Sequence, residues 1–115
     1  MLSDEQLRAG IAVLRRIESE IVSEYGPSDS RSEGACNSAH MWAAALLCRE
    51  EAREIEDKLA EMTSGTGSSF YGPYARIIKL EDLISKARGE EEYYYSWVES
   101  CYPELHSRVM SEINN

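Results

Sequence analysis

The sequence predicts an all-α fold, a compact antiparallel bundle of four to five helices forming a single domain over residues 1–115. Apolar residues recur at steps of three and four through most of the chain, and the segments so patterned begin at capping residues and end at glycine or proline. Strand-like alternation occurs only in fragments, and no repeat of solenoid length is present, so the helices are expected to share one core. A chain of 115 residues can bury roughly two thirds of its unfolded surface, enough for a core without metals or disulfides.

The first helix is expected over about 4–25. Ser3 and Gln6 stand in capping-box spacing, and Leu7, Ile11, Leu14, Ile17, Ile21 and Tyr25 make one apolar face. Gly26 supplies a left-handed C-terminal cap and Pro27 a stop. Residues 27–34 read as a polar loop, because serine and aspartate side chains compete with the backbone for hydrogen bonds. A second helix is expected over about 35–62, capped by Ser30 with Glu33 or by Asn37 or Ser38. Its buried stripe is Ala35, Ala39, Trp42, Leu46, Ala52, Ile55, Leu59 and Met62. Residues 39–48 are apolar nearly all round, which suits a central strut covered on several sides. Residues 50–61 are rich in glutamate and read as a solvated face, with Glu54 and Lys58 as a helix-stabilising pair.

Residues 63–72 have the polarity and glycine content of a connecting loop. Pro73 suits the opening of a third helix over about 73–88, carried by Ile77, Leu80, Ile84 and Ala87 and stopped at Gly89. Glu90, Glu91 and Glu92 suit the positive end of a fourth helix over about 90–101, with Tyr94, Trp97, Val98 and Cys101 inward. Pro103 interrupts the hydrogen-bond ladder, so the last helix, over about 103–113, is expected to be kinked or broken there, with Leu105, Val109, Met110 and Ile113 on its inner face.

Composition narrows the function classes. Hydrophobic residues at 43% and charged residues at 29% are ordinary globular values, which argues against disorder despite a net charge of −9. Twenty-one acidic against twelve basic residues repel phosphate backbones and anionic lipids, so no direct nucleic-acid or membrane partner is expected, and another protein with a basic surface fits best. Cys36, Cys48 and Cys101 are odd in number and widely spaced, which suits a reducing, cytoplasmic location better than a disulfide framework. Acidic residues near the start stand where a signal peptide has basic ones, and the longest apolar run, 41–48, is far shorter than the roughly 20 residues that span a bilayer.

Three constellations invite a chemical reading. Cys36 and His40 share a helix face, but a packed cysteine explains them more simply than half a metal site, and no metal or cofactor is expected. The loop serines Ser68 and Ser69, with Arg76 and Lys79 beyond, offer an anion or nucleotide site, although the lysine and spacing of a phosphate-binding loop are missing. The third is the acidic and aromatic run Glu90, Glu91, Glu92, Tyr93, Tyr95, Glu99 and Tyr102. Successive side chains on a helix point about 100° apart, so these rings cannot all face inward. Exposed tyrosine beside carboxylates is suited to docking on arginine or lysine. No catalytic motif is present, and the expected function is that of a non-enzymatic inhibitor or adaptor that blocks a basic site of a partner, with a homo-oligomer as a further expectation. The composition resembles that of small acidic helical proteins with which phages block host nucleic-acid enzymes, a likeness of character rather than of family.

Overall fold

The computed structural model describes residues 2–64 and 72–114. It is all-α: α1 (Asp4–Tyr25), α2 (Ser30–Ser64), α3 (Gly72–Cys101) and α4 (Pro103–Ile113), with no strand among the described residues. No described helix is long and apolar enough to cross a membrane. The first and last helices fall on the expected boundaries. Ser3 and Gln6 close the capping box at the start of α1, with the Gln6 amide donating to Ser3 Oγ at 3.1 Å and the Ser3 amide donating to Gln6 Oε1 at 2.9 Å. Gly26 ends α1 at φ 91°, as expected of glycine, though its ψ of 163° is extended rather than left-handed helical.

Both ends of α2 and the break expected at Gly89 differ from the sequence expectation. The α2 helix starts at Ser30, so only residues 26–29 connect it to α1, where a loop reaching 34 was expected. The reason is Asp29, whose carboxylate accepts from the Arg31 amide and guanidinium, each at 2.9 Å, and whose carbonyl accepts from the Ser32 hydroxyl at 2.7 Å. These bonds satisfy the first turn and turn a polar stretch into a helix start. At its other end α2 continues to Ser64, with the Thr63 hydroxyl donating back to the Leu59 carbonyl at 2.9 Å. The expected helices 73–88 and 90–101 are one element, because Gly89 stays helical. A single glycine inside a helix costs only about 1 kcal/mol, and Arg88 and Glu91 on either side of it tie the helix to α2 through Glu56 and Arg49.

Helices α2 and α3 run antiparallel, as the pairs Gly34 with Tyr102, Trp42 with Tyr95, Arg49 with Glu91 and Glu56 with Arg88 show. The α1 helix runs antiparallel to α2, with Asp4 beside Arg53 and Arg8 beside Glu50, and α4 antiparallel to α1, with Arg16 beside Glu112 and Glu20 beside Arg108. All four helices meet at Trp42, which is fully buried against Gly10 of α1, stacks on Tyr95 of α3 at 5.5 Å and meets His106 of α4 edge-on at 6.0 Å. Leu7, Leu14, Ile17, Val98 and Val109 complete this core.

The molecule is elongated rather than compact. Its extents are 64 × 27 × 20 Å and its radius of gyration is 18.7 Å, against roughly 13 Å for a compact chain of this length. The cause is unequal helix length, since α2 has 35 residues and α3 has 30, while α1 begins beside Arg53 and leaves the remaining stretch of α2 beyond its reach. The stretch 39–48 is not covered all round, for Leu47 is 65% exposed on the side of α2 turned away from α1 and α3. Between Gln6 and Asn114 the ends of α1 and α4 lie close enough for a side-chain bond of 3.4 Å.

The packing at Trp42 separates two glycines. A Cβ on Gly10 would sit 2.2 Å from Trp42 Cζ3, whereas a Cβ on Gly89 meets nothing within 4 Å. Gly10→Ala is therefore expected to destabilise the fold by about 1–3 kcal/mol in urea denaturation, and Gly89→Ala to stabilise it by up to about 1 kcal/mol. Equal signs for the two would contradict this packing.

Candidate functional site

The acidic and aromatic run lies on the second half of α3, and the rotation of that helix sorts its members. Positions 77, 80, 84, 87, 91, 94 and 98 recur at three and four, and this face turns toward α2, with Ala87, Glu91 and Val98 buried. Glu91 was expected on a docking surface, but it is only 3% exposed. It is held inside by Arg49, whose Nε and Nη2 each donate to Glu91 Oε2 at 3.2 Å. Arg88 donates to the other Glu91 oxygen at 3.2 Å and to Glu56 at 2.8 Å. Burial of a carboxylate is tolerable here because a guanidinium, itself 6% exposed, supplies a matched charge and two donors.

Arg49 also reaches α1, donating from Nη1 to Asp4 Oδ1 at 3.0 Å, and Arg53 pairs with the same aspartate. Hydrogen bonds from Arg53 and then Arg49 hold the Asp4 carboxyl well below the usual carboxylate range. One buried arginine thus ties α2 to both α1 and α3. These groups, with Leu2, Ser3 and Glu92, line a shallow charged depression whose cations Arg49, Arg53 and Arg88 are already paired within the chain.

Three other members of the run are also partly or largely turned away from solvent. Glu90 is half-buried and accepts a 3.9 Å hydrogen bond from the Cys48 thiol. Tyr95 stacks on Trp42, and burial, followed by the nearby Glu99 charge, raises its phenol above the ordinary value. Tyr102 lies against Gly34, where an added Cβ would sit 2.9 Å from its ring, and meets Trp97 edge-on at 5.6 Å. Glu92, Tyr93 and Glu99 point outward, and Tyr93 is 63% exposed with its ring edge-on to the half-buried Tyr94 at 5.5 Å. A groove of about 440 Å³ runs beside them, lined by Gly89, Glu92, Tyr93, Ser96, Trp97 and Ser100. Its chemistry is that of an amphipathic surface: aromatic edges, small hydroxyls and unscreened carboxylates.

The remaining sequence candidates lie apart from this run. Arg76 and Lys79 are exposed on α3, while Ser68 and Ser69 lie outside the described residues, as does most of the expected loop 63–72. His40 is exposed and Cys36 half-buried, with the Cys36 thiol pushed up by its hydrogen bond to Glu18 and then by burial. Burial, and then the charge of Glu90, raise the Cys48 thiol as well. Both shifts oppose the thiolate that a nucleophile or metal ligand needs. A larger cleft of about 790 Å³ opens where Tyr102 and Leu105 meet Ile17, Ile21 and Arg31. Arg31 there is engaged by Asp29 and lies 3.8 Å above the Tyr25 ring, and Arg108 on its rim pairs with Glu20.

Compared with known proteins, the chain matches no family, no curated protein and no solved structure.

Two outcomes follow from this geometry. Glu91→Ala leaves Arg49 buried without its main partner and is expected to cost about 3–5 kcal/mol, whereas Glu92→Ala at the surface should change stability by no more than about 0.5 kcal/mol; chemical denaturation of both variants checks the contrast. The hydrogen bonds from Arg31 likewise lower the Asp29 carboxyl, to about 2. Because Asp4 and Asp29 both titrate lower in the folded than in the unfolded chain, their ion pairs stabilise fully above about pH 4, and that contribution fades as pH falls toward 2. Asp4→Asn should flatten the acid limb of a stability profile, and an unaltered limb would argue against the Arg49 and Arg53 pairing.

Proposed function

We propose that the chain is a non-enzymatic binding protein that docks the outer face of α3 onto a basic surface of another protein, as an inhibitor or adaptor. The antiparallel bundle around Trp42, with its change of direction at Pro103, is in this reading the rigid platform for that face. The observation that carries the proposal is the outward placement of Tyr93 between Glu92 and the groove that continues to Ser96 and Ser100. An exposed tyrosine supplies contact area at small entropic cost, and flanking carboxylates pair with arginine or lysine. The net charge of −9 steers such an encounter and repels nucleic acid itself, so a protein that normally handles an anionic polymer is a fitting partner class.

The docking residues on this reading are Glu92, Tyr93 and Glu99, with Trp97 as the groove wall; Glu91 supports them from inside through Arg49. Affinity capture with the tagged chain, followed by mass spectrometry, is expected to enrich basic proteins in a salt-sensitive manner. Tyr93→Ala and Glu99→Lys are each expected to reduce that capture about tenfold or more while leaving the helical circular-dichroism spectrum intact. Undiminished capture by both folded variants would remove the proposal.

A further inference from the structure

A second surface lies on the other half of the α2/α3 hairpin. Along α2, Leu47, Glu51, Glu54, Lys58 and Glu61 recur at steps of four and three, so they line one flank, and all five are exposed. Along α3, Arg76, Lys79, Leu83, Lys86 and Glu90 recur at three and four on the flank beside it, exposed except for the half-buried Glu90. The α2 stripe carries three glutamates and one lysine, the α3 stripe three basic residues and one glutamate. Each also presents a leucine to solvent, Leu47 at 65% and Leu83 at 40%.

Seven of the eight basic residues outside these stripes hold a carboxylate of the same chain: Arg8, Arg16, Arg31, Arg49, Arg53, Arg88 and Arg108. The stripes differ. Among the described residues, Glu51, Glu54, Lys58, Arg76, Lys79 and Lys86 take part in no ion pair, including the helical pair expected between Glu54 and Lys58. Where α1 and α4 reach, α2 and α3 belong to a four-helix cross-section; along this flank, among the described residues, they have only each other.

We propose that this flank is the interface of a homodimer, in which the acidic stripe of α2 lies along the basic stripe of α3 in a second copy. Two kinds of two-fold axis bring the flanks face to face. An axis across the hairpin sets α2 on α2 and α3 on α3, opposing like charges. An axis parallel to the hairpin sets α2 on α3 of the second copy, antiparallel and at the same height, and this arrangement brings opposite charges together. The register given by Arg49 with Glu91 then carries Glu54 to the level of Lys86 in the second copy. The partner hairpin supplies the two helices that α1 and α4 supply at the other end, and the stems of Lys58 and Lys86 close over Leu83.

Sedimentation equilibrium of the full chain tests this at about 100 μM. The expected mass is twice the 13.0 kDa of the single chain. Glu54→Lys and Lys86→Glu are each expected to weaken association about tenfold or more, by opposing like charges, and the double variant Glu54→Lys with Lys86→Glu to restore it, since both pairs are then reversed. Both positions, 54 and 86, are solvent-facing in the single chain, so circular dichroism is expected to stay unchanged. A wild-type chain of 13.0 kDa at that concentration overturns the proposal. So do single variants that associate like the wild type, or a folded double variant that stays monomeric.

Discussion

The pairing of buried Arg49 with Glu91 decides more of this structure than any other contact. A guanidinium and a carboxylate, both nearly removed from water, tolerate burial only while each satisfies the other, so the pair is intolerant of sliding or rotation. Because Arg49 also holds Asp4, the same side chain fixes where α1 begins against the hairpin. Its greatest consequence lies on the opposite side of α3. With position 91 turned toward α2, positions 92 and 93 are carried round to solvent, and a buried ion pair thereby determines which tyrosine the protein displays.

Around this constraint the molecule divides into two zones with different physics. Near Trp42 four helices meet, glycine at position 10 lets the indole approach the α1 backbone, and hydrophobic burial dominates. Farther along the hairpin the helices share a seam of half-buried Ile55, Leu59, Leu80 and Ile84, and charged stripes face solvent. The first zone is suited to holding a surface rigid. The second keeps apolar and charged area available for association. The two proposed surfaces therefore fall in different zones, and occupation of one does not require the other.

Much of the architecture was legible from periodicity and caps. The α1 boundaries followed from the Ser3 and Gln6 capping box and Gly26, and α4 from Pro103, because these residues act locally through their own backbone bonds. The start of α2 was harder to read, since Asp29 and Ser32 have equal claims as turn formers and as helix caps. Gly89 misled for a related reason: its local helix penalty is small, and the contacts that Arg88 and Glu91 make with α2 on either side of it are tertiary, so no local rule registers them. The inward turn of Glu91 had a signal, for Ile84, Glu91 and Val98 stand seven apart, as do Trp42, Arg49 and Glu56 on the facing helix. A charge within an apolar stripe reads as a surface residue until the opposite charge is found at the matching height. The elongated shape was not legible, because helix periodicity says which face is buried and not how far a neighbouring helix reaches.

The orientation of α3 can be tested directly by brief nitration of the folded chain, with each tyrosine followed by peptide mass spectrometry. Exposed Tyr93 is predicted to react readily and Tyr95, stacked on Trp42, to be protected until the chain is unfolded. Reaction of Tyr95 at the rate of Tyr93, or protection of Tyr93, would mean that α3 presents a different face and that the Arg49 and Glu91 pair does not set it.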